Sequence, residues 1–303
     1  MIEPEVLQPT KDVAGDRPRV LRKYDHADPH EPQDTVEPVP PRVIATDLDG
    51  TLIRSDGSIS ARTVDALARA EAAGATVVLV TGRPPRWIAG VAEQTGHHGI
   101  VICSNGAIVY DLHDERIIES QLIPTDVVMK VVDTLTSAMP ELSFAVETGD
   151  DVYRAHGYRS GWSVDPDPGM SYHPLDVVTS HEAAKLLASH PDMDVDELLS
   201  QARALIGDLV ETTHSNGRGL VEMGPLGVSK ATTLAKFSAE LGVDAADVVA
   251  FGDMPNDLPM LAWAGTAYAV ANAHPQVLAA TERTTASNDD DGVALVLEEL
   301  FPS

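Results

Sequence analysis

Two aspartates one residue apart, Asp47 and Asp49, stand just after the short apolar run Val43-Ile44-Ala45. A carboxylate so placed can serve as nucleophile, as general acid or base, or as ligand to a hard cation. Small polar groups recur at equivalent places further along. Thr81, Gly82 and Arg83 follow the apolar run Thr76–Val80, and Ser104, Asn105 and Gly106 follow Gly99–Cys103. Asp253, Asn256 and Asp257 follow Asp247–Phe251, and Lys230 starts the helical pattern before that run. Four carboxylates cannot share a small site without protons or a counter-cation. These carboxylates offer only oxygen donors, with no Cys or His near them in sequence, which selects a hard cation. Mg2+ is the usual one where phosphate is also held. Lys230 adds a second positive charge.

The whole chain poses the complementary problem. Its 21 Lys and Arg against 47 Asp and Glu give a net charge of −26, which repels nucleic acid and anionic membrane and excludes them as expected partners. An anionic small molecule therefore needs the local cation and Lys230 to bind. The single cysteine, Cys103, cannot form an intrachain disulfide and reads as a buried core residue, which favours a reducing cytoplasm. No apolar run is long enough to span a bilayer, and the first residues lack the apolar core of a signal peptide. Oligomeric state is not legible.

The elements that must position these groups follow from patterning. At 303 residues the chain is long enough for two domains. Residues 1–41 hold eight of the 21 prolines and few large apolar side chains, so they read as a disordered tail. Residues 42–119 alternate continuous apolar strands with helices, for example the helix opened by Ser60 and closed at Gly74, and a helix over Pro85–Gln94. That rhythm predicts a parallel α/β sheet with helices on both faces, doubly wound, with ligands bound beyond the carboxyl ends of the strands. Residues 120–217 change texture: a helix over Thr125–Ala138, alternating strands at Leu142–Val146 and Val152–Ala155, the Pro- and Gly-rich loop Asp165–Gly169 and a helix over Val195–Leu205 predict an inserted α+β domain. Over residues 218–303 the βα rhythm resumes from Gly219–Met223 and returns to the first domain.

Asp47-Leu-Asp-Gly-Thr-Leu52 resembles the first motif of the haloacid dehalogenase superfamily. Thr81-Gly-Arg83 resembles the second, Lys230 within Gly227-Val-Ser-Lys230 the third, and Gly252-Asp-Met-Pro-Asn-Asp257 the fourth, in order and at the expected strand ends. The resemblance covers about residues 42–303. The insertion between the second and third motifs is similar to the α/β cap of the Cof-type branch, subfamily IIB. The resemblance implies a Rossmann-like core with a cap, and a phosphatase acting on a small phosphorylated metabolite. Asp47 would be the nucleophile that becomes an aspartyl-phosphate, and Asp49 the general acid and base. Mg2+ would be held by Asp47, the backbone carbonyl of Asp49, and Asp253, with Asp257 acting through water or by positioning Lys230. Thr81, Gly82 and Lys230 would hold phosphate oxygens, and Asn105 and Asn256 would sit on the substrate side. Arg83 is either a site residue or a surface charge. Arg154, His156, Tyr158, Arg159 and Trp162 are candidate specificity residues of the cap, or ordinary surface residues.

Other readings are weaker. Gly224–Lys230 superficially resembles a phosphate-binding loop but lacks the glycine directly before the lysine and the hydroxyl after it. Asp47–Ser58 is not a calcium loop, because Gly50 is misplaced and Ser58 stands where the bidentate Glu belongs. His97, His98 and the other histidines show no ligand spacing and read as surface positions. A phosphomutase of the same superfamily is the main alternative; a non-catalytic phosphate-binding module is a further one, disfavoured by the complete acid set and the inserted domain.

Overall fold

The computed structural model describes residues 40–159, 171–215 and 219–302. The first 39 residues of the Pro-rich tail, Trp162 and the loop Asp165–Gly169 lie outside the described residues.

In chain order the elements are β1 (Val43–Thr46), α1 (Ala61–Ala72), β2 (Thr76–Val80), α2 (Ala89–Thr95), β3 (Ile100–Cys103), β4 (Ile108–Asp111) and β5 (Arg116–Ser120). Then come α3 (Thr125–Ala138), β6 (Ser143–Glu147), β7 (Val152–Ala155), β8 (Tyr172–His173), α4 (Leu175–Val178), β9 (Lys185–Ser189), α5 (Val195–Ile206), β10 (Val210–Thr213) and β11 (Leu220–Pro225). The chain closes with α6 (Lys230–Glu240), β12 (Val248–Gly252), α7 (Leu258–Trp263), β13 (Thr266–Val270), α8 (Pro275–Ala280), β14 (Arg283–Thr285) and α9 (Gly292–Leu300).

Among the described residues there are two sheets. The first has the order β14-β13-β12-β1-β2-β3-β4-β5; it is parallel from β14 to β3, and the β3-β4-β5 edge is antiparallel. All four residues of β1 are buried, because helices cover both faces of a central parallel strand. Ile44, Leu79 and Phe251 pack with α1 and α9 on one side, and Val43, Val78 and Ala250 pack with α6 and α7 on the other. β12, β1, β2 and β3 lie side by side, so the four polar strand ends are brought to one edge.

The second sheet has the order β10-β11-β9-β6-β7-β8, antiparallel except for the β7–β8 pair. It departs from the expected boundary. β11, expected to resume the core, pairs with β9 and β10, so this sheet runs on to Pro225 rather than ending at residue 217. The run Leu220–Met223 is as apolar as a core strand, and only its pairing partners assign it. β9 was not expected at all: Lys-Leu-Leu-Ala-Ser has no strand signature, and its extended form is imposed by ladders on both sides. The helix expected over Pro85–Gln94 divides into a 3-10 turn, Pro85–Trp87, and α2.

Period-two alternation gives the second sheet two unlike faces. Phe144, Val146, Leu186, Ala188, Val221 and Met223 pack against α3 and α5. The intervening residues Glu147, Lys185, Leu187, Leu220 and Glu222 face the other way and line a cavity over the strand ends of the first sheet. No helix among the described residues is long and apolar enough to cross a membrane.

Candidate active site

Asp47 continues the ladder of β1: its backbone N–H donates to the Phe251 carbonyl at 3.0 Å. Asp47 and Asp253 thus leave neighbouring strands at one level. One carboxylate oxygen from each of Asp47, Asp253 and Asp257 lies within 4.8 Å of the others, and all three side chains are buried. The Thr51 hydroxyl donates to Asp253 Oδ1 at 2.9 Å. Gly50 has φ +81°, and a Cβ there would overlap the Asp253 carboxylate, so the turn after Asp49 needs glycine on both counts.

Lys230 is delivered by the start of α6. Ser229 caps the helix in a reciprocal box with Thr232. Gly106 (φ +105°) packs so closely on Ser229 that a Cβ would strike its carbonyl, and the Thr233 hydroxyl donates to the Gly106 carbonyl at 2.8 Å. Lys230 Nζ, 1% exposed, donates to Asp47 Oδ1 at 2.5 Å and to Asp257 Oδ1 at 2.7 Å. A cation in the first turn is disfavoured by the helix dipole, and these two carboxylates offset that cost. The second oxygen of Asp257 accepts from the backbone N–H groups of Asp253 and Met254, both at 3.0 Å. Asp257 therefore orients the lysine and the turn that carries Asp253.

The electrostatics show one lysine to be insufficient. Burial would lower the Lys230 ammonium, but Asp257 and Asp47 outweigh it and hold it above its ordinary range. Burial raises Asp47 to about 7 against the pull of Lys230, with Asp257 and Asp49 adding to the rise. Burial, Asp47 and Asp257 raise Asp253 to about 9. Three buried carboxylates sharing one ammonium are a donor set short of positive charge. All-oxygen ligation fits a hard divalent ion such as Mg2+.

The sign of the resulting pH dependence is fixed. Both aspartates have folded values above the ordinary 3.8, so without a cation the folded chain binds more protons than the unfolded chain between about pH 4 and pH 9. Their contribution to stability is present at low pH and is lost as pH rises through about 7 and then about 9. The melting temperature in chelator should therefore fall across that window, and saturating Mg2+ should flatten the slope. A melt series in which Mg2+ leaves the slope unchanged would contradict the cluster.

The other expected residues are placed as follows. Asp49 lies at the cavity but outside the three-acid cluster; both its oxygens accept from Arg83, at 2.6 and 2.7 Å, a bidentate pair. Arg83 thus stands in the site. Thr81 is buried, and its hydroxyl accepts from the Arg83 N–H at 3.0 Å, while Gly82 lines the cavity. Asn105, at φ +56°, donates to Glu222 at 2.6 Å and accepts from Asn256 Nδ2 at 3.0 Å. The buried Oδ1 of Asn256 has no partner among the described residues.

The cavity, about 540 Å3, is roofed by the second sheet. Of the expected roof residues, Arg154 and Tyr158 line it and are buried; His156 and Arg159 are exposed away from it, and Trp162 is not described. Glu147, Lys185 and Glu222 of the roof, with Arg86 and Ser215 beside them, are not among the residues expected from sequence. Lys185 Nζ lies 3.3 Å from Glu147 and 3.5 Å from Glu222 and donates to the Gly82 carbonyl at 2.8 Å. Arg86 pairs with Glu147 at 2.8 Å, and Ser215 donates to Glu222. Glu147 and Glu222 carry a local signal, a charge in an otherwise apolar strand, which marks a face turned to something polar; Lys185 opens β9, which has no strand signature, and carries none. The histidines also need correction. His97 and His214 are buried, at 5% and 0% exposure, because tertiary neighbours that no local spacing shows close over them.

A profile of the family described as haloacid dehalogenase-like hydrolase matches residues 44–297. The chain is 31% identical over 271 residues to the 5-amino-6-(5-phospho-D-ribitylamino)uracil phosphatase YitU of Bacillus subtilis (strain 168), covering 86% of this chain and 98% of that one. It is 28% identical over 263 residues to the pyridoxal phosphate phosphatase YbhA of Escherichia coli (strain K12), covering 84% and 96%. Its fold is like that of the subclass IIB sugar phosphatase BT4131, with a TM-score of 0.74 at 20% identity over 85% of this chain and 98% of that chain.

Proposed function

Because this chain belongs to the haloacid dehalogenase-like hydrolases and is a phosphatase of their Cof-type branch, we propose that it hydrolyses a small phosphorylated metabolite, with Mg2+ and through an aspartyl-phosphate on Asp47. The observation that carries this reading is the meeting of Asp47 and Asp253, with Lys230 buried against Asp47, at the floor of a cavity large enough for a metabolite. YitU and YbhA act, by name, on phosphate esters of ring-bearing metabolites. The cavity pairs buried charges with Tyr158, Leu187 and Leu220, a lining that suits such a molecule.

A Mg2+ ion would be held by Asp47, Asp253 and the backbone carbonyl of Asp49, and would neutralise carboxylate and phosphoryl oxygens together. In the first step an Asp47 oxygen bonds to phosphorus as the ester P–O bond breaks, and Asp49, having taken a proton from solvent on release from Arg83, gives that proton to the leaving oxygen. In the second, water attacks the aspartyl-phosphate, Asp49 takes the water's proton, and inorganic phosphate leaves with Asp47 restored. Arg83 orients Asp49, and release of this pair towards an incoming phosphate frees the acid for both transfers. Lys230 stays protonated throughout and stabilises charge on Asp47 and the phosphoryl group. The roof would exclude water from the first step. The reading places the enzyme in the cytoplasm, in keeping with one buried, unpaired Cys103.

The test is a panel of phosphorylated metabolites, including pyridoxal phosphate and sugar phosphates, scored for phosphate release with Mg2+ and with chelator. At least one member should be turned over with Mg2+ and lose nearly all activity in chelator. No release from any member, or release indifferent to the chelator, overturns the reading.

A further inference from the structure

Asp196, His214 and His274 come together at a second place. One ligand-capable atom from each lies within 4.8 Å of the others, and none lines the cavity described above. Asp196 is in the first turn of α5 and His214 follows β10, both in the layer of the second sheet; His274 caps α8 beside the first sheet. Asp196 presents its two oxygens to the two rings, Oδ1 at 3.0 Å from His214 Nε2 and Oδ2 at 3.9 Å from His274 Nε2. The rings stand edge to face with centroids 5.8 Å apart. His214 is completely buried, and its Nδ1 has no partner among the described residues.

We propose that Asp196, His214 and His274 form a second metal site, distinct from the carboxylate cluster, that takes a transition-metal dication of the zinc class and joins the second sheet's layer to the first. Two imidazoles and one carboxylate suit Zn2+ and its neighbours and are a poor set for Mg2+. Ligand atoms around a tetrahedral Zn2+ lie roughly 3.3 Å apart, given bonds of about 2.0–2.1 Å; Asp196 Oδ1 stands 3.0 Å from His214 Nε2, and with all three ligand-capable atoms within 4.8 Å a small approach of the His274 ring completes the set. The adjustment asked of the chain is small. His274 Nδ1 accepts only a long bond from Gln276 N–H, 3.3 Å, and gives it up when the ring takes the tautomer that ligates through Nε2. Three protein ligands leave a fourth position for water, since half-exposed Asp196 gives solvent access. The site also lies close to the chemistry: the His274 backbone N–H donates to the Asp253 carbonyl at 2.8 Å. An ion here would fasten the roof to the turn that carries Asp253.

The test uses the full chain, stripped of metal and then saturated with Mg2+, with Zn2+ as the calorimetric titrant and Co2+ as a spectroscopic probe. One Zn2+ should bind per chain, Co2+ should develop the visible bands of imidazole ligation, and Zn2+ should raise the melting temperature. His274→Gln and Asp196→Asn, both at solvent-accessible positions, should each lower zinc affinity by about 10-fold or more and remove the thermal shift. Asp253→Asn should leave zinc binding unchanged. Absence of zinc binding in the Mg2+-saturated chain, equal binding by His274→Gln, or loss of binding in Asp253→Asn would each overturn the proposal.

Discussion

Asp47→Asn should abolish turnover, by about 10^4-fold or more in kcat, while the chain stays folded. The amide keeps the size and the oxygen that accepts from Lys230, so the Lys230–Asp257 contact and the α6 start are retained. What is lost is the electron pair that must bond to phosphorus. The substitution also removes one ionisable group from a buried cluster in which burial, with the neighbouring carboxylates adding to it, raises Asp47 and Asp253 to about 7 and about 9. Stability in chelator at neutral pH should therefore hold or rise. The measurement is phosphate release under saturating Mg2+, paired with a denaturant melt. Turnover within tenfold of the unsubstituted chain would show that Asp47 is not the nucleophile.

Lys230→Met should damage both fold and activity. The Lys230 side chain is 1% exposed, and its ammonium is the cation that bridges Asp47 and Asp257. Removing one partner of a buried ion pair commonly costs about 3–5 kcal/mol, because the remaining charges are stranded without solvent. The loss should be largest in chelator and smaller in Mg2+, which supplies charge to the same carboxylates. Rate should fall by about 10^2–10^3-fold even when Mg2+ restores the fold, the range found when one preorganised stabilising group is removed. Melts with and without Mg2+ separate the two effects. A variant as stable as the parent in chelator would mean that the lysine does not carry the cluster's charge balance.

These two expectations differ in how they could be reached. Asp47 is legible in sequence, because an apolar run followed at once by Asp-x-Asp-Gly puts a carboxylate at a strand end by local geometry alone. The parallel α/β sheet was legible for the same reason: Val43–Thr46, Thr76–Val80 and Val248–Gly252 are buried on both faces and so read as uninterrupted apolar stretches. The N-cap at Ser60 needs only its three following residues. Lys230 could be named, but its bridging role could not, since Asp47 stands 183 positions away.

Contacts between distant segments lie beyond local pattern. That Arg83 holds Asp49, that β11 belongs with β9 and β10, and that Lys185 rests between Glu147 and Glu222 all depend on which strands pair and which face of a strand turns inward. The histidines make the same point: Asp196, His214 and His274 have no common spacing and meet only when α5, the end of β10 and the start of α8 are packed. Local sequence determined which groups stand at strand ends, since backbone direction and side-chain period act over a few residues. Tertiary structure decided which of those groups share a charge or a hydrogen bond, because electrostatic partnership depends on distance in space and on burial.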